Sequence, residues 1–139
     1  MIKKIFVSLF MLAVILVAGG LAFVWQIGAW NILFPSSSHD ATAPALPAEL
    51  DSAVLVFTKT NGFRHKDGIL GGLRAFDELS KRHGFAVFAT ENGAIFNPDD
   101  LKRFDVVVFL NATGDMLSEN QETAFKEWLQ AGGGWLGIL

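Results

Sequence analysis

A histidine, an arginine and two threonines crowd one short loop: Val54-Leu-Val-Phe57 passes directly into Thr58-Lys-Thr-Asn-Gly-Phe-Arg-His65. A second loop of the same kind, Asn111-Ala-Thr-Gly-Asp115, follows the apolar run Val106-Val-Val-Phe-Leu110, and Glu91 closes a third run, Phe85-Ala-Val-Phe-Ala-Thr90. Imidazole titrates near neutrality, so His65 is the candidate acid or base. The guanidinium of Arg64 suits an anionic or hydroxyl-rich ligand. Glu91 or Asp115 would orient a hydroxyl or accept a proton, and Thr58, Asn111 and Thr113 would supply further ligand contacts. Residues of these types also cap helix amides and solvate turns, and the sequence leaves both roles open.

The elements that must position these loops follow from the hydrophobic pattern. Apolar runs near residues 54, 85, 106 and 135 read as strands buried in a parallel sheet. Between the first two, residues 67–83 carry Ile69, Leu70, Leu73, Phe76 and Leu79 at helical spacing, with Asp77/Lys81 and Glu78/Arg82 as i, i+4 pairs and Gly84 as a left-handed cap. His83, beside that cap, reads as compensation for the helix dipole. Asn97-Pro98-Asp99-Asp100 opens a short helix. Ser118 and Gln121 have capping-box spacing ahead of a helix that turns Ala124, Phe125, Trp128 and Leu129 inward. Alternating strands and helices predict a flavodoxin-like α/β fold, with right-handed crossovers placing helices on both faces. In such a sheet the loops leaving adjacent strands share a crevice at the switch point, which would bring residues 58–66 to face residues 111–115.

Residues 5–25 contain no charge and only one clearly polar side chain, Ser8. At roughly 1.5 Å per residue this run spans a hydrocarbon core of about 30 Å. Lys3 and Lys4 precede it and the next basic residue is Lys59, so the positive-inside rule predicts a cytoplasmic N-terminus and a domain on the far side of the cell membrane. A cleaved signal peptide is the rival reading, with Ala41-Thr42-Ala43 as its cleavage pattern, but its apolar core would be shorter. Trp25 and Trp30 fit the headgroup level. The expected organisation is a membrane anchor over residues 1–33, an exposed Pro/Ser/Ala-rich linker over 34–52 holding a solvated His39, and a domain over 53–139.

Composition narrows the functions. The chain is 51% hydrophobic and 18% charged, which excludes a wholly disordered protein. Beyond Lys3 and Lys4, nine basic residues stand against fourteen acidic ones, and no basic run compensates, so nucleic acid is an unsuitable partner. No cysteine is present, which removes thiolate chemistry. Gly68 and Gly71-Gly72 fit neither the dinucleotide fingerprint nor the P-loop, histidines 39, 65 and 83 lack metal-site spacing, and no cofactor is indicated. Ser118 lacks a nucleophile-elbow context. Asn111-Ala-Thr113 matches the glycosylation sequon.

Taken in order, VLVFTKTNGFRH, FATENGAIF, FDVVVFLNATGD and AFKEWLQAGGGWLGI resemble the ThuA-like (trehalose utilisation) family over nearly all of residues 54–138. The resemblance implies membership of the class I glutamine amidotransferase-like superfamily, a flavodoxin-like sheet, a role in carbohydrate utilisation, and residues 62–65 and 111–115 as the family-like positions. The chain departs from the family where a Gly-Ile-His type segment and a further half-domain are expected after Ile138, so the sequence reads as the first half of a domain. Without a cysteine nucleophile, glutamine hydrolysis by that route is impossible. Three readings stay open: an enzyme on sugars or sugar derivatives using His65, a non-catalytic carbohydrate- or partner-binding module, and a non-functional truncated fragment.

Overall fold

The computed structural model describes residues 2–50 and 53–139. The expectations made for residue 1 and for linker positions 51 and 52 lie outside the described residues. Helix α1 (Ile2–Gln26) is followed by a turn and the short α2 (Trp30–Leu33). The α/β unit runs β1 (Ala53–Phe57), α3 (Lys66–His83), β2 (Ala86–Thr90), a 3-10 turn over Gly93–Ile95, α4 (Pro98–Leu101), β3 (Val106–Leu110), α5 (Glu119–Gln130) and β4 (Gly134–Ile138). All strand pairings are parallel and the order is β2-β1-β3-β4, the arrangement of a flavodoxin-like sheet. The chain reverses its winding direction between β1 and β3, so their carboxyl ends form the switch point.

Local chemistry sets the element ends. Gly84 adopts φ 75° and returns its N–H to the Ser80 carbonyl, closing α3. Asn97 accepts hydrogen bonds from the N–H groups of Asp99 and Asp100, with Pro98 at the first helical position of α4. Ser118 and Gln121 form the expected reciprocal capping box at α5. Lys81 pairs with Asp77 at 2.7 Å, while Glu78 and Arg82 do not pair with each other.

Two apolar layers sandwich the sheet. On one face Leu55, Phe57 and Val107 pack with Ile95, Phe96, Leu101, Phe104 and the α5 residues Ala124, Phe125 and Trp128. An aromatic run binds that layer, with ring centroids 4.8 Å apart for Phe57 and Phe96, 5.4 Å for Phe96 and Phe125, and 5.2 Å for Phe109 and Phe125. On the other face Val56, Val108 and Leu110 meet Leu73 and Phe76 of α3. A Cβ at Gly72 would lie 2.5 Å from a Leu110 methyl, so α3 sits as close to the sheet as that missing side chain permits.

One expectation needs correction. Leu70 and Leu79 of α3 are 54% and 38% exposed, because α3 alone covers its face of the sheet and its outer rows meet no neighbour. Strand β4 pairs with β3 on one side and is an exposed edge, with Trp135 at 55% and Leu136 at 47% exposure. The segment after α2 is mostly exposed, as a linker should be, and is docked on the domain. It runs extended across the carboxyl ends of the strands as a strap, hydrogen-bonded from Ser36 to Asn61, from Asp40 to Gly93 and from the Thr42 carbonyl to Asn92.

Helix α1 is long and apolar enough to cross a membrane, a condition that a signal sequence also meets. No α1 residue is buried, so it is not the core helix of a soluble domain.

Candidate functional site

The loops leaving β1 and β3 are zipped together. Thr60 and Thr113 form a parallel bridge, Asn61 and Gly62 donate their N–H groups to the Thr113 carbonyl at 2.8 and 3.1 Å, and Thr113 donates to Lys59 at 3.2 Å. The Thr113 hydroxyl donates to the Phe63 carbonyl at 2.6 Å. The sheet ladder therefore continues past the strands, and the anticipated crevice between these two loops is closed by backbone hydrogen bonds.

Polar side chains converge instead beside this zipper, over the ends of β1 and β2. A cleft of about 460 Å³ is lined by Asp40, Lys59, Asn61, Arg64, Glu91 and Asn92, among others. Arg64 makes a two-pronged contact to Glu91, Nη1 to Oε2 at 3.1 Å and Nη2 to Oε1 at 2.5 Å, and Nη1 also donates to the Thr60 hydroxyl at 3.0 Å. Lys59 Nζ reaches Asp40 Oδ2 at 2.5 Å, and the Gly93 N–H donates to the same oxygen at 2.8 Å. Burial pushes the Asp40 carboxyl up, but the hydrogen bonds from Lys59 and Gly93 and the Lys59 charge outweigh it and hold the carboxyl below its ordinary value. Asn61, only 7% exposed, donates to the carbonyls of Ser38 and Asp115. Two internally balanced ion pairs thus face a cleft rich in hydrogen-bonding groups.

The anticipated site residues divide among three places. Arg64 and Glu91 meet in the polar cleft. His65 and Asn111 do not reach it: they line a separate groove of about 550 Å³ with Gly68, Leu110 and Ile138, and the two cavities share no lining residue. Both side chains crowd Gly68, whose hypothetical Cβ would lie 2.9 Å from His65 Nδ1 and 3.1 Å from Asn111 Nδ2. Asn111 has a left-handed backbone at φ 48° and its N–H donates to the Ile138 carbonyl at 2.7 Å. At 7% exposure its amide is not presented for glycosylation. Thr58 is buried, lines neither cavity and donates its N–H to Thr90. Asp115 is exposed and binds His39 at 3.2 Å, so His39 is a surface partner of Asp115. His83 takes its place in the basic last turn of α3.

Asp40, Lys59, Asn61 and Asn92 were not anticipated. Lys59 and Asn61 sat inside the loop already singled out and were overlooked because lysine and asparagine are ordinary in turns. Their burial depends on the strap, and nothing near Asp40 in the sequence announces a contact some 19 residues away.

The end of α1 abuts the same loop. Arg64 N–H donates to the Gly28 carbonyl at 3.0 Å, Asn31 Nδ2 to the Thr60 carbonyl at 3.1 Å, and Lys66 Nζ to the Gln26 carbonyl at 3.3 Å. Gly28 is at φ 78°, and a Cβ there would lie 2.2 Å from the Arg64 oxygen, so only glycine fits this contact.

Comparison with known proteins agrees with this architecture. A crystal structure of a ThuA-like protein from Bacteroides uniformis superposes with a TM-score of 0.50 at 22% identity, covering 69% of this chain and 39% of that one. The chain thus spans well under half the length of that structure, and the likeness bears on the fold. No curated protein matches the chain. The family model for ThuA, described as trehalose utilisation, matches residues 53–139, the whole α/β unit that carries the cleft. With its sheet order, its strand-end loops and more than half its length accounted for by that match, the chain belongs to the ThuA family.

Proposed function

We propose that the cleft over the ends of β1 and β2 binds a neutral, hydroxyl-rich ligand, a carbohydrate or sugar derivative, on a domain anchored by α1 outside the cytoplasm. The observation that carries this reading is charge balance. Arg64 faces Glu91 and Lys59 faces Asp40, so the cleft offers many donors and acceptors without a net charge to attract a polyanion. Paired carboxylates and cations of this kind suit sugar hydroxyls, each of which both donates and accepts. The ThuA description, trehalose utilisation, points to the same ligand class. Retention of α1 as an anchor is supported by the contacts that Gly28 in the turn after it and Asn31 in α2 make to the cleft loop, which removal of a signal peptide at the Ala41-Thr42-Ala43 pattern would destroy.

The test is calorimetric titration of the detergent-solubilised full chain with trehalose and with a panel of mono- and disaccharides. Saturable binding by one of them, weakened about tenfold or more by Arg64→Ala through loss of charge-assisted hydrogen bonds, is the expected result. Equal affinity in wild type and variant, or no binding across the panel, would remove the carbohydrate reading.

A catalytic version assigns acid/base work to His65, which lies outside the polar cleft, so it requires the reacting part of the sugar to sit in the separate groove with Asn111. The left-handed backbone of Asn111 beside it supports this version, because strained residues gather at functional sites. Turnover of a bound sugar that His65→Ala abolishes while binding persists would establish it. Binding without turnover would leave a carbohydrate-binding module.

A further inference from the structure

We propose that the cleft between the end of α1 and the β1–α3 loop seats the headgroup phosphate of an anionic phospholipid. This cleft, about 310 Å³, is lined by Trp25, Gly28, Trp30, Asn31, Arg64 and Lys66. It adjoins the polar cleft, sharing Arg64 and Asn31 with it, but its electrostatics differ. Lys66 pairs with no carboxylate among the described residues, so no anionic side chain neutralises its charge here. Its ammonium lies 4.6 Å from the Trp25 ring centroid and donates to the carbonyls of Trp25 and Gln26, which fixes it at the helix end and leaves a third N–H free. Asn31 spends one amide N–H on Thr60 and keeps the other.

The position of the cleft selects a lipid over free phosphate. On one side lies α1, whose apolar side chains are exposed along its length. On another lie Ile32, Leu33 and Phe34, each more than half exposed. With α1 in a bilayer, as proposed above, Trp25 and Trp30 stand at headgroup level, acyl chains would lie along α1, and the phosphate would meet Lys66. Free phosphate would use only the polar half of such a surface.

The experiment reconstitutes the full chain into vesicles of equal parts phosphatidylcholine and phosphatidylglycerol, floats them, extracts the protein in mild detergent and measures retained lipid by native mass spectrometry. Wild type is expected to retain phosphatidylglycerol over phosphatidylcholine. Lys66→Gln should reduce that preference about fivefold, as for one interfacial cation, and Trp30→Ala should reduce it too. Lys126→Gln, which removes the same charge from α5 outside the cleft, should leave it unchanged. Equal retention of the two lipids, an unaltered preference in Lys66→Gln, or displacement of lipid by millimolar inorganic phosphate would each overturn the proposal. A chain that fails to float would remove the anchor and the headgroup site together, whereas floating with no lipid preference would remove the site alone. Neither outcome touches sugar binding in the neighbouring cleft.

Discussion

Arg64 is tied at both ends. Its backbone hangs from Gly28, and its guanidinium grips Glu91 and Thr60. Gly28→Ala should separate the end of α1 from the loop, because the new methyl would overlap the Arg64 carbonyl. Tryptic cleavage after Arg64 is expected to accelerate while the cooperative unfolding of the α/β unit persists, and an unchanged digestion rate would refute the contact. Asn111 tests backbone strain in the second groove. Asn111→Gly should be nearly neutral for the backbone, whereas Asn111→Ala should destabilise by roughly 1–2 kcal/mol in chemical denaturation, the cost of a left-handed conformation for an apolar residue that carries a Cβ. At this scale the sequence displayed which side chains could act, but not which would meet. Arg64 and His65 are adjacent in the chain, yet one faces the polar cleft and the other the α3 groove.

Among the elements, those governed by local rules were legible in the sequence. The capping box at Ser118, the Asn97–Pro98 start and the Gly84 stop depend on neighbours a few residues apart, and each formed as expected. Removing the hydroxyl in Ser118→Ala should lower stability by about 1 kcal/mol, seen as a lower melting temperature. The strap was illegible because it has no periodicity of its own and is held by scattered contacts to distant loops, among them those of Asp40, Ser38, Thr42 and Pro47. Its acid sensitivity can be signed. The Asp40 carboxyl is held low in the folded protein, so its contribution is complete above the ordinary carboxylate value, about 3.9, and is lost as pH falls through the folded value. Acid unfolding followed by tryptophan fluorescence should show this loss in wild type, and Asp40→Asn should flatten that part of the profile. Identical profiles would exclude Asp40 as the strap's anchor.

For the molecule as a whole, the two faces of the sheet are unequally covered. The α5 face is closed by aromatic rings, and Phe96→Ala there should cost about 3–5 kcal/mol, since the side chain is 1% exposed. The α3 face remains an open apolar groove bordered by Leu79, Leu136 and Ile138, beside the exposed edge strand β4. Exposed edges pair with other chains, so the purified protein should self-associate at high concentration, and Leu136→Lys should shift it toward the monomer in sedimentation. A monomeric wild type under the same conditions would contradict this. The parallel sheet could be anticipated because alternation and crossover handedness are global rules, whereas the exposed outer rows of α3 could not, because periodicity identifies an apolar row without saying what meets it.

The hydrogen-bonded seam from Lys59 to Thr113 has a mechanical corollary. Loops stitched along their backbones travel as one stiff panel, so the polar cleft gains no doorway by spreading β1 from β3. Its opposite border is a ribbon fastened by a few side-chain knots, and unfastening those at Ser38 and Asp40 is the cheaper way to let a bulky guest pass.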